Sequence, residues 1–245
     1  CMEVCKDATV YDTPQITVVE IMGRHAGWLA GAAAVGSRFG AGPDLVYLPE
    51  LDFDMDKFLA DVERVYNEKG NCLVAVSEGL HFADGTFVSE AQASATDGFG
   101  HAQLGGLASR LCDAVESRLD VKTRPIELSL LQRCGAHLAS GADVAEAELA
   151  GRVAVESAVA GETGKMVAFE RAEENGQYVC RTKLIPLTSV ANAEKKVPLE
   201  WITPDGSFVT DDFIDYVLPL IQGQPERPTV SSLPRYAHLK KIVAE

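Results

Sequence analysis

The chain has 245 residues, 47% of them hydrophobic and 24% charged, with a formal net charge of −14. That length fits one large or two small domains, and the composition is an ordinary globular one. The acidic balance argues against a nucleic-acid binder, which needs clustered Lys and Arg, and no apolar run is long enough to span a membrane.

The first residues, Cys1 to Asp12, read as the tail of a helix broken at Thr13-Pro14. A β-branched run from Gln15 to Ile21 predicts a buried strand, followed by a Met22-Gly23-Arg24 turn and an alanine-rich helix from Trp28 to Phe39. Gly40-Ala-Gly-Pro43 stops that helix, and Asp44 to Leu48 predicts a second buried strand closed by Pro49-Glu50. Met55, Phe58, Leu59, Val62, Val65 and Tyr66 recur at helical spacing, with Asp54 as cap and Gly70 as stop. Cys72 to Val76 predicts a third buried strand running into Ser77-Glu78-Gly79, then a long polar segment to about Gly100. Leu104, Leu107, Leu111, Val115 and Leu119 mark a helix, and Arg124 to Ser129 a fourth strand leading into Gln132-Arg133. Asp143 to Ala160 is helical by pattern, with Asp143 as cap. Lys165 to Phe169 and Tyr178 to Leu187 read as strands, the second following the hairpin-turn pair Asn175-Gly176. A short helix spans about Asp211 to Leu218, and a proline-rich exit runs from Gln224 to Pro234.

Strands alternating with helices predict an α/β fold, a parallel sheet with helices on both faces in a Rossmann-type three-layer sandwich. Such sheets bind ligands at the carboxyl ends of their strands. Four segments converge there: Met22-Gly23-Arg24, Pro49-Glu50, Ser77-Glu78-Gly79 and Gln132-Arg133. Gly23 allows close approach to a ligand, Arg24 adds a fork-shaped cation suited to phosphate, and the following helix start favours an anion. An ordinary strand-to-helix turn with a surface arginine is the plainer reading of that motif alone. An anionic ligand would need local arginines to oppose a generally repulsive field. The six cysteines form no C-x-x-C pair and no zinc spacing, so free thiols in a reducing, cytoplasmic setting are expected. His25 and His137 lack a partner at catalytic or metal-ligand spacing.

Val18-Val-Glu-Ile-Met-Gly-Arg-His-Ala-Gly-Trp28, Leu48-Pro-Glu50, Val76-Ser-Glu-Gly79 and Gln132-Arg133, in this order, resemble the second half of a phosphofructokinase. The resemblance runs from about Asp12 to Gly164, and more loosely to the end. It implies transfer of a phosphoryl group to fructose 6-phosphate, with that sugar held by Met22, Gly23, Arg24, Glu78 and Arg133. It further implies a homo-oligomer in which Arg124 matches an arginine that reaches the sugar phosphate, supplied by a neighbouring subunit in the bacterial ATP-using members, and that Arg24 also stabilises the transferred phosphoryl group. The flanks Gly27-Trp28-Leu29, Pro43 to Pro49 and Glu78 to Gly85 and the tail from Trp201 to Gly223 resemble the pyrophosphate-dependent members, with ATP as the alternative donor. A non-catalytic sugar-phosphate-binding module is the other reading.

Two departures stand out. Leu130 occupies a position where the family often has His or Tyr, and Cys134 replaces a common glycine. The glycine-rich donor loop and the Asp-rich segment that carry the base and the Mg2+ ligands belong to the family's first half and are not found in this chain. With Cys1 in first place, the expectation is that the N-terminal, donor-binding part is missing. Residues 1–132 would then form the sugar-phosphate domain, and 133–245 would pack back toward the donor part.

Overall fold

The computed structural model describes residues 1–10, 13–89 and 106–242. Expectations on Tyr11, Asp12, residues 90–100 and Leu104 fall outside these. The chain forms two compact units, residues 1–134 with 188–218, and residues 135–187 with 219–245, the first opening with α1 (Met2–Ala8).

The first unit is built on β1 (Gln15–Ile21), β2 (Leu45–Tyr47), β3 (Asn71–Ser77) and β4 (Thr123–Glu127), all parallel, in the order β2-β3-β1-β4. Every residue of β1 is buried, as its unbroken β-branched run requires of a strand covered on both faces. Side chains alternate between two cores. On one face, Ile16, Val18, Tyr47 and Val74 meet Phe58 and Val62 of α4 (Met55–Lys69) and Leu111 and Val115 of α5 (Leu107–Leu119). On the other, Val19, Ile21 and Val46 meet Ala30 of α2 (Trp28–Ala32), Val35 of α3 (Ala34–Arg38) and Phe213 of α8 (Asp211–Val217). This is the expected three-layer α/β arrangement, and it places residues 188–218 in the layer under β1 and β2.

Local chemistry sets the ends. Asp54 caps α4 by accepting hydrogen bonds from Asp56 N (2.9 Å) and Lys57 N (3.1 Å), and Gly70 stops it in the left-handed region (φ 76°). The single helix expected from Trp28 to Phe39 is two helices hinged at Ala33, whose N–H bonds back three residues to Ala30 O. Gly31 explains why the first piece sits so low: a Cβ there would lie 2.6 Å from Phe213 Cζ. The strand expected to reach Ser129 ends at Glu127, and Ser129, with φ 42°, opens the short α6 (Ser129–Arg133).

In the second unit, α7 (Gly141–Val159) is capped by Ser140, not Asp143; the Ser140 side chain accepts from Asp143 N at 3.1 Å. Asp143 lies one turn inside, where a carboxylate still favours the positive end of the helix. β5 (Lys165–Glu174) and β6 (Gln177–Pro186) form a hairpin around Asn175-Gly176, both at positive φ, as a type I′ turn demands. All six cysteines are free thiols.

Candidate functional site: the carboxyl rim of the sheet

The loop after β1 is held by side chains from two neighbouring strand ends. Met22 N donates to Gln132 Oε1 (3.0 Å) on α6, and Gly23 N donates to Glu78 Oε1 (3.2 Å) just past β3. Ser77 Oγ donates to Gly23 O, and Glu78 N donates to Ile21 O (2.9 Å), so the β1–β3 pairing continues into the loop. The neighbouring backbone comes close because residues 23 and 79 are glycines. A Cβ at Gly23, whose φ is 156°, would lie 2.9 Å from Ala26 O, and one at Gly79 would collide with the Arg24 carbonyl.

Met22, Gly23 and Glu78 are thus joined by direct hydrogen bonds or chain adjacency, and Arg24 leaves this same loop, half-buried. Arg133 is exposed at the last position of α6, next to the Gln132 that holds Met22. Arg124 is placed elsewhere. Its partner across the sheet is Thr17, five residues before Met22, so it lies roughly 16 Å of strand back from Met22, at about 3.3 Å per residue, and it is exposed on the edge strand. Among the described residues, no carboxylate lies within ion-pair distance of Arg24, Arg124 or Arg133. A guanidinium without an internal counter-ion keeps its donors for an anionic ligand.

Glu20, Ser77, Gly79 and Gln132 escaped the reading of side-chain roles. Glu20 is a buried carboxyl on β1, only 6% exposed, whose Oε2 accepts from Ala108 N (2.9 Å) at the start of α5. Burial pushes its pKa up from 4.5 to about 7; the α5 amides oppose this, and the charges of Glu127 and Glu78 add to it. A glutamate inside a run of β-branched residues was the available signal. Leu130 is 64% exposed, and His25 is exposed with its ring 6.0 Å from that of Phe87. Among the described residues, no group of three or more His, Cys, Asp or Glu could hold a metal ion, and no helix is long and apolar enough to cross a membrane.

A rim of this construction defines a three-layer α/β protein with its ligand side at the strand ends. A phosphofructokinase family model matches residues 2–171, and the chain belongs to that family. It is 41% identical over 228 residues to the pyrophosphate–fructose 6-phosphate 1-phosphotransferase of Halomonas elongata, covering 93% of this chain and 54% of that protein. It is 40% identical over 241 residues to the enzyme of the same name from Xanthomonas campestris, covering 96% of this chain and 56% of that one. The crystal structure of the pyrophosphate-dependent phosphofructokinase from Nitrosospira multiformis superposes with a TM-score of 0.83 at 34% identity, over 98% of this chain and 57% of that one. The chain therefore spans little more than half the length of the relatives it matches.

Proposed function

We propose that this chain supplies the fructose 6-phosphate side of a pyrophosphate-dependent phosphofructokinase, a cytoplasmic glycolytic enzyme that makes fructose 1,6-bisphosphate. The carrying observation is the rim loop: Met22 N and Gly23 N are fixed by Gln132 and Glu78, and Arg24 and Arg133, which have no ion-pair partner among the described residues, extend from the same loop and from the residue after Gln132. Arg24 and Arg133 neutralise phosphate oxygens, and Arg24 also stabilises charge on the transferred group. Glu78 uses Oε1 on the loop and accepts a sugar hydroxyl on its other oxygen. The names of the relatives favour pyrophosphate over ATP as donor.

On the family resemblance, Mg2+ and the catalytic base are assigned to the remainder of the enzyme. Arg124, exposed on an edge strand and distant from its own rim, serves the sugar phosphate of a neighbouring copy in a homo-oligomer. Of residues 133–245, all expected to pack toward the donor part, 188–218 lie in the first unit's own core, so that assignment is kept for residues 135–187 and 219–245.

Calorimetric titration of the chain with fructose 6-phosphate tests this. Weak binding is expected, weakened about tenfold or more by Arg24→Ala or Arg133→Ala, since a charged hydrogen-bonding partner contributes about 1.5–3 kcal/mol. No turnover with pyrophosphate is expected from the chain alone. Absence of binding, or arginine variants that bind as the parent does, would overturn the assignment.

A further inference from the structure

Leu48-Pro49-Glu50 is the strand-end segment that the proposed site leaves without a role. Glu50 follows β2, and its Oε1 accepts two backbone hydrogen bonds, from Gly27 N and from Val197 N, both at 2.9 Å. These donors lie far apart in sequence, so one carboxylate oxygen fastens the end of the rim loop to the 188–218 segment. Its Oε2 is buried and has no hydrogen-bond partner among the described residues. Leaving half a carboxylate unsatisfied is costly, and such a group persists where its position matters. Gly27 makes room for it: a Cβ there would lie 2.7 Å from Oε2.

The next residue repeats the connection. Trp28 Nε1 donates to Lys195 O (2.7 Å), its ring stacks on Phe213 (centroids 5.8 Å apart), and Lys195 Nζ sits 5.7 Å from the ring centre. Three hydrogen bonds thus clasp residues 195–197 onto residues 27–28. The loop carrying Arg24 is pinned at its start by Gln132 and Glu78 and at its end by Glu50. With both ends fixed, the backbone from which Arg24 projects has one course.

We propose that Glu50 is a positioning residue for hexose-phosphate binding, clasping residues 195–197 onto the rim loop so that Arg24 is held ready for the phosphate. The phosphate half of this statement rests on the function proposed above; the clasp does not.

The test uses the whole chain with Glu50→Ala, Glu50→Gln, Trp28→Phe and Arg24→Ala, and two readouts. Amide hydrogen exchange without ligand reads the clasp. Glu50→Ala should speed exchange at least about tenfold at residues 22–28 and 195–197 while β3 amides stay unchanged, because exchange reports local opening. Glu50→Gln, which keeps an oxygen acceptor, should restore most of the protection. Titration with fructose 6-phosphate reads the consequence: about tenfold weaker binding in Glu50→Ala, and within about threefold of the parent in Glu50→Gln. Unchanged exchange at residues 22–24, or unchanged affinity in Glu50→Ala where Arg24→Ala loses binding, overturns the proposal. If the parent chain binds no fructose 6-phosphate, the functional reading fails and exchange alone decides the clasp. If Glu50→Ala does not fold, Trp28→Phe decides it: faster exchange confined to residues 22–28 and 195–197 supports the clasp, and uniform or absent change overturns it.

Discussion

Glu20 shows how much one side chain beneath the carboxyl rim of the sheet can weigh. It is 6% exposed, it accepts from the start of α5, and its carboxyl titrates near 7 instead of 4.5 because burial disfavours the charge. The folded chain therefore binds this proton more tightly than the unfolded chain. Stability from this group is fully present below about pH 4.5, falls as pH rises toward 7, and levels off above it. At about 1.4 kcal/mol per pH unit the decline has a ceiling near 3 kcal/mol, and solvent relaxation reduces it to roughly 1–2 kcal/mol. Glu20→Gln should remove the decline, so urea melts at pH 5 and pH 8 should differ less than in the parent by that amount. Parallel pH profiles for the two chains would show that Glu20 ionises without cost. Gln132 works the same rim without charge. Replacing it with Leu strands the Met22 N–H and should cost about 1–3 kcal/mol in the same melts.

At the scale of the element, the rim loop depends on two backbones in contact. Gly79 lies against the Arg24 carbonyl, which cannot retreat freely because Gly23 O is already taken by Ser77 Oγ. Gly79→Ala should cost about 2–4 kcal/mol and lower the melting temperature, with fructose 6-phosphate binding lost alongside. Gly151 on α7 is the control: a Cβ there meets nothing within 4 Å, so Gly151→Ala should stabilise by about 0.5–1 kcal/mol. A thermal melt that ranks these two variants the other way would refute the steric account. Much of this scale is legible in the sequence. The β-branched run of β1, the Asp54 cap and Gly70 stop of α4, and the Asn175-Gly176 turn are short-range signals, and short-range physics sets them. What is illegible is fixed by distant partners. The hinge at Ala33 follows two short helices, the first packed at Gly31 against Phe213. Ser140 outcompetes Asp143 as cap of α7 from a β-region backbone, and its own hydroxyl reaches Leu220 O. The position of Arg124 opposite Thr17 is a register, which residue types alone do not encode.

Over the whole molecule, burial is uneven. Every buried residue among those described belongs to the first unit; the second has none. Its α7 leaves Val144, Val155 and Val159 exposed at 45%, 65% and 84%, and Phe169 on β5 is 53% exposed. A helix on a hairpin with so little apolar burial barely offsets the entropy of ordering it, whatever its internal hydrogen bonds. Exposed apolar faces of this kind often mark surfaces that another body covers. In the chain alone, amides of α7, β5 and β6 should therefore exchange at least about a hundredfold faster than those of β1 and β3, and a hydrophobic dye such as ANS should bind. Fructose 6-phosphate should raise protection around residues 22–24 and 78, because a ligand stabilises the unit that holds it. Val155→Glu separates the two roles. It should leave sugar-phosphate affinity and the exchange of the first unit unchanged while reducing dye binding. If α7 proves as protected as β3, or if Val155→Glu weakens fructose 6-phosphate binding, the exposed face serves the site itself and not a surface waiting for cover.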